Sequence, residues 1–142
     1  MQLNEAQRAF LEEVHFAVVA TIGPDGLPHQ TVMWYMVNGD ELLLNTPFDS
    51  LKHRHLKQDN RLSVCVESGY RYITLSGAVT LNEDAATARA DYQRLGQRYA
   101  GTMALRMEQS AGMTMSKQMQ DMLTRERVTL HLKIAKVQAN GV

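Results

Sequence analysis

The densest run of usable chemistry in this chain is Thr46-Pro47-Phe48-Asp49-Ser50-Leu51-Lys52-His53-Arg54-His55-Leu56. An apolar, strand-like stretch stops there, and Asp49 or Ser50 can cap a short helix reaching about residue 57. A helix start aims free backbone N–H groups and the positive end of its dipole at one spot. Ser50 adds a hydroxyl, and Lys52 and Arg54 add positive charge. That combination suits a phosphate. The competing reading is an ordinary capped surface helix with solvated basic side chains.

A second candidate is the strand-like stretch 29–36, His29-Gln30-Thr31-Val32-Met33-Trp34-Tyr35-Met36, which holds the single tryptophan. Trp34 could flank a flat ring or fill the core. Backbone N–H groups beside a small residue such as Thr31 could meet the edge of a flat heterocycle. The histidines are His15, His29, His53, His55 and His131. His53 and His55 are two apart, so a helix turns them to different faces, whereas helical zinc motifs use spacings of three or four. No metal site is expected. The chain has no Gly-x-Ser-x-Gly, no Gly-x-Gly-x-x-Gly and no Walker A pattern. Those absences argue against a serine-triad hydrolase and against a nucleotide held in the Rossmann or P-loop manner. Met103, Met107, Met115, Met119 and Met122 fall near helical spacing and read as packing, either at a dimer interface or as a cover over a pocket.

These residues need elements to position them. Asn4 and Gln7 form a capping-box pair, so a first helix is expected over 4–14. Residues 16–22 are apolar on both faces, as in a sheet strand covered by helices or by a partner. Gly23-Pro24-Asp25-Gly26 and Asn38-Gly39-Asp40 are turn signals, which bracket a second strand over 28–37 and lead into a third over 41–46. Further strands are expected at 61–67, 71–81 and 127–137, the first two joined at Gly69, and Gly77 marks a close backbone approach. Asn82 is the expected cap of a helix whose stripe is Ala85, Ala88, Tyr92, Leu95 and Tyr99. The order is α-βββ-α-ββ-α-(α)-β. Hairpin-linked strands argue for an antiparallel α+β, mainly β fold in one domain over 1–142, and against a doubly wound parallel sheet.

The bulk properties agree. Of the 142 residues 44% are hydrophobic, enough for a real core, and 15 basic residues balance 15 acidic ones. A neutral chain gives no electrostatic reason to expect nucleic acid or a membrane surface as partner. The lone Cys65 excludes an internal disulfide and suits a cytoplasmic setting. The N-terminal stretch carries Glu5, Arg8, Glu12 and Glu13 and does not read as a signal core. No apolar run approaches the ~20 residues that cross a bilayer.

Five segments in this order and spacing resemble a known family: AVVATIGPDGLPHQTVMWYMVNGDELLLNT, SLKHRHL, DNRLSVCVES, ITLSGAVTL and RVTLHLKIAKV. From about Phe10 to Val137 the chain is similar to the pyridoxamine 5'-phosphate oxidase-like split β-barrel superfamily. Within it, the chain looks closest to the flavin/deazaflavin oxidoreductases of group B. The resemblance implies a six-stranded antiparallel split β-barrel with flanking helices, working as a homodimer with two cofactor sites at the subunit interface. By that likeness Ser50, Lys52 and Arg54 would hold the cofactor phosphate. Gln30, Thr31 and Val32 would lie along the ring system, and Asn45 and Thr46 would close the site.

The departures from the family pattern are informative. The C-terminal Trp-x-x-x-Arg that true pyridoxamine phosphate oxidases use for substrate phosphate is absent, which argues against vitamin B6 oxidation. FMN-type members carry an Arg on the second strand followed by a Leu-Leu-Lys pattern, and here that stretch reads HQTVMWYM. The resemblance therefore implies the deazaflavin coenzyme F420 ahead of FMN. It implies hydride transfer to a small conjugated acceptor, enone- or tetrapyrrole-like, with no side chain nominated as proton donor. The alternatives are an FMN-dependent oxidase or reductase, or a non-catalytic flavin or haem binder with His29 or His131 as haem ligand.

Overall fold

Asn4 Oδ1 accepts the Gln7 amide and Gln7 Oε1 accepts the Asn4 amide, so the capping box starts α1 (Glu5–Glu12), which buries Phe10 and Leu11. The computed structural model describes residues 3–102 and 124–142. The Met-rich stretch 103–122 lies outside the described residues.

After α1 come β1 (Ala17–Ile22), β2 (Pro28–Met33), β3 (Met36–Asn38) and β4 (Glu41–Pro47). The turns between them sit where Gly26 and Gly39 take positive φ, as the turn signals require. Next are α2 (Leu51–Gln58), β5 (Arg61–Ser68), β6 (Arg71–Asn82), α3 (Ala85–Arg98) and β7 (Arg127–Asn140). All pairings are antiparallel, in the order β2-β1-β5-β6-β7-β4-β3. The fold is α+β, mainly β, with one antiparallel sheet flanked by helices.

The described sheet has seven strands where six were expected. The expected strand 28–37 is two strands, because Tyr35 turns out of the ladder. Its side chain is fully buried, its hydroxyl donates to Leu11 O at 2.9 Å, and its amide donates to the Tyr99 hydroxyl at 3.2 Å. A backbone amide given to the Tyr99 hydroxyl cannot also extend a strand. The cap of α3 also differs. Asp84, not Asn82, accepts the Thr87 amide at 3.0 Å, while Asn82 Oδ1 accepts the Asp84 amide one turn earlier.

Strands β1, β2 and β4 to β7 all contribute to one core, including Val19, Met33, Leu42, Val64, Leu75 and Leu130, with Val37 of β3 packed against it. Gly77 sits at the bulge that bends β6 against β7. A Cβ there would lie 2.0 Å from Lys133 O, so the close approach needs glycine. Helix α3 covers the face of β4 and β7 that points away from the core, and α2 packs against β1 and β4. No helix among the described residues is long and apolar enough to cross a membrane.

Candidate functional site

The junction between β4 and α2 is held by a set of fully used polar groups. Asp49 has φ 60, a left-handed conformation that Asp tolerates better than most residues. Its amide donates to His53 Nδ1 at 2.8 Å. A backbone amide is always a donor, so Nδ1 must accept and the ring proton sits on Nε2, which donates to Glu83 Oε1 at 2.6 Å. That bond, with the nearby Lys57 charge, holds the Glu83 carboxyl below its ordinary range against a smaller opposing effect of burial. Ser50 caps α2 by accepting the His53 amide at 3.2 Å and shares a hydrogen bond with Thr46 Oγ1 at 2.9 Å. The helix start thereby leaves the amides of Leu51 and Lys52 outside helical bonding.

Lys52 and Arg54, two apart in sequence, meet different surroundings. Arg54 is exposed and lies 4.0 Å from Asp49 Oδ1. Lys52 is half-buried and takes part in no ion pair among the described residues, whereas Lys57 on the same helix is 3.5 Å from Glu83. Burial lowers the Lys52 ammonium pKa below its ordinary value, and the Arg127 charge lowers it further.

Arg127 did not stand out in the sequence. It opens β7 opposite Pro47 and is 5% exposed. Its Nε donates to Asn45 Oδ1 at 2.7 Å, and its guanidinium lies over the Tyr92 ring, 3.9 Å from the centroid. Burial pushes its pKa down to about 10. Asn45, expected to close the site, is buried beneath α3. Its Nδ2 donates to Ala88 O at 2.9 Å and, more weakly, to Thr129 Oγ1, which itself donates to Asp91 Oδ2 at 2.7 Å. The sequence signal for Arg127 was slight, a charged residue opening a strand that alternates apolar and polar positions.

The β2 candidates divide between faces. Gln30 and Val32 pair with Ala20 and Val18 and point away from the core, with Val32 65% exposed. Thr31 points the other way, and its Oγ1 is buried with no partner among the described residues. β2 is an edge strand, so one side of its backbone is unpaired in the sheet. Beside it, Val18, Val32, Ala20 and Ile22 make an apolar surface leading into a groove of about 400 Å³ that Pro28, Ser63, Ser76 and Lys136 also line.

Trp34 is in a packing role. Its ring lies 5.1 Å from Tyr99 at 8° and 6.2 Å from Tyr92 at 17°. His29 of β2 meets His55 edge-on at 5.7 Å, while His131, on a strand four places away from β2 in the sheet order, has its Nδ1 3.2 Å from Glu41 Oε2. No group of three or more metal-binding side chains occurs among the described residues.

Lys52, half-buried, and Ser50, the cap of α2, thus stand together at the helix start that follows β4 of an antiparallel sheet. Residues 3–141 match the family described as pyridoxamine 5'-phosphate oxidase. The chain belongs to that family. A solved structure named F420 reductase has a TM-score of 0.73 to it and is 22% identical, covering 96% of this chain and 98% of its own. A conserved hypothetical protein of Mycobacterium tuberculosis has a TM-score of 0.72 and 27% identity, with 96% of this chain and 84% of that one covered. General stress protein 26 of Bacillus anthracis has a TM-score of 0.64 and 14% identity, with 92% and 88% covered. No curated protein matches. This chain thus shares its fold with a structure named for F420.

Proposed function

We propose that two copies of this chain form a split β-barrel dimer that binds coenzyme F420 and passes a hydride to a small conjugated, enone- or tetrapyrrole-like acceptor. The observation that carries the reading is Lys52, desolvated, without an ion-pair partner among the described residues, and set in the first turn of a helix capped by Ser50. A phosphate there meets the Lys52 ammonium, the free amides of the first turn and the helix dipole together. Arg54 would add charge from the solvent side. Gln30, Thr31 and Val32 would offer the ring system an edge strand, and Thr46 would hold Ser50 in place.

The apolar outer face of β1 and β2 is the surface a second copy would cover, with the cofactor between the copies. The bound cofactor supplies the two-electron chemistry, and the chain orients it and excludes water from its face. The proton that completes reduction of the acceptor comes from water, and no side chain is nominated as its donor. A reducing cytoplasm suits both a reduced cofactor and the free Cys65 thiol. FMN is the second reading, because the same anchor accepts its phosphate.

Titration of the purified protein with F420 and with FMN decides the matter. A dissociation constant below ~100 μM, about −5.5 kcal/mol, is expected for F420. Lys52→Ala is expected to weaken it by about 1–3 kcal/mol, the worth of a charge-assisted contact. Tight FMN binding with weak F420 binding would move the assignment to FMN, and failure of both would remove it.

A further inference from the structure

A guanidinium carries five N–H donors in a planar fork. In Arg127 one of them, on Nε, is used by Asn45, and Nη1 is buried with no acceptor among the described residues. No carboxylate among the described residues pairs with it. Asp91, the buried acid on that face, is taken by Thr129 Oγ1 and lies 3.4 Å from Arg94 Nη1. Tyr92 favours the Arg127 charge, but the charged side chains that act on Arg127 or that it acts on are cationic: Arg89, Arg125 and Lys52. Burying an unpaired cation is unfavourable, and placing a second one nearby adds repulsion. A dianion between them reverses both effects.

The geometry holds the pair in place. Arg127 is opposite Pro47 in the β4–β7 ladder, and the Phe48 amide donates to Glu126 O at 2.7 Å. The start of β7 and the turn leading to Ser50 are therefore one unit. Asn45, locked by Ala88 O, fixes the guanidinium from one side, and Tyr92 supports its flat face.

We propose that Arg127 and Lys52 together form a phosphoryl-binding site, with Asn45 and Tyr92 as the residues that orient Arg127. That the phosphoryl group belongs to a flavin-type cofactor rests on the function proposed above, and the existence of the site does not. A phosphoryl dianion matches two cations and a forked donor better than a single carboxylate does.

Two measurements test the site. The first is thermal unfolding of the whole protein in sodium phosphate against sodium acetate and sodium chloride at equal ionic strength. Wild type is expected to gain melting temperature in phosphate alone, and Arg127→Gln and Lys52→Gln are each expected to lose that gain. An equal response to all three salts in the wild type would overturn the site, whether or not the variants fold.

The second compares F420 with its phosphate-free deazaflavin riboside. Wild type is expected to prefer the phosphorylated form, and Arg127→Gln to cut that preference about tenfold or more while leaving riboside affinity unchanged. Arg127→Lys should keep part of it. An unchanged preference in a folded Arg127→Gln protein would also overturn the assignment. If neither deazaflavin binds but phosphate still protects through Arg127, the cofactor reading fails and the phosphoryl site stands.

Discussion

Arg98 and Arg127 are both arginines stacked on tyrosine, and they are used in opposite ways. Arg98 lies over the Tyr35 and Tyr99 rings, at 5.2 and 5.7 Å, and gives its terminal donors to Leu11 O, Glu12 O and Glu13 O. Those are carbonyls at the end of α1, which have no partner within the helix. Arg127 lies closer to its ring and is more deeply buried, yet it meets one acceptor among the described residues. The first ties a helix to the sheet. Both leave one buried nitrogen unpartnered among the described residues, Nε in Arg98 and Nη1 in Arg127, but Arg98 makes three bonds to acceptors where Arg127 makes one. Partner count, more than burial or charge, separates a structural arginine from one set for a ligand.

The largest effect expected from this contrast is on stability. Arg98→Met should cost about 2–4 kcal/mol, because it removes three hydrogen bonds, strips Glu12 O of its donor and leaves Leu11 O and Glu13 O with the Tyr35 hydroxyl alone. Arg127→Met should change stability by no more than about 1 kcal/mol, because an unpaired buried charge leaves with it. Urea unfolding of the two variants measures both, and equal losses would erase the distinction.

A smaller effect should come from turning one arginine into the other kind. Asn45→Asp places a carboxylate where Oδ1 now lies 2.7 Å from Arg127 Nε. Neutralised by that partner, Arg127 should hold phosphate or a phosphorylated cofactor about 1–2 kcal/mol less tightly. Isothermal titration of the variant reads this directly, and unaltered affinity would mean that the charge of Arg127 is not what binds.

The smallest effect concerns pH. The Lys52 pKa is lowered in the folded protein, first by burial and then by Arg127. The folded state therefore binds fewer protons than the unfolded chain between the lowered value and the ordinary lysine value. Stability should rise with pH across that window, and the cost of charging Lys52 is fully present below it. Lys52→Met should flatten this rise in denaturation curves taken at alkaline pH, below the ordinary lysine value of about 10.4. Saturating phosphate should flatten it as well, since an anion restores the ordinary titration. A rise that persists in Lys52→Met would assign it to another group.

Much of the fold was legible in the chain, and the reason is locality. The capping box at Asn4, the turns at Gly26 and Gly39, the Ser50 cap and the glycine demanded at Gly77 each depend on a few neighbouring residues or on a backbone conformation that few residue types adopt. Lys52 and Ser50 could be singled out for the same reason. The break at Trp34-Tyr35 was not legible, because it depends on Tyr35 reaching Leu11 and Tyr99. The move of the α3 cap from Asn82 to Asp84 left Glu83 to serve His53, thirty residues away.

By itself the sequence determined an antiparallel, mainly β domain with a capped basic helix after its β4 strand, because period, turn chemistry and capping are short-range. Tertiary structure alone decided which polar groups found partners. Asn45 meets Arg127 across 82 residues of chain because the β4–β7 register puts them side by side under α3. Whether a buried charge is satisfied depends on everything packed around it, and no local pattern records that.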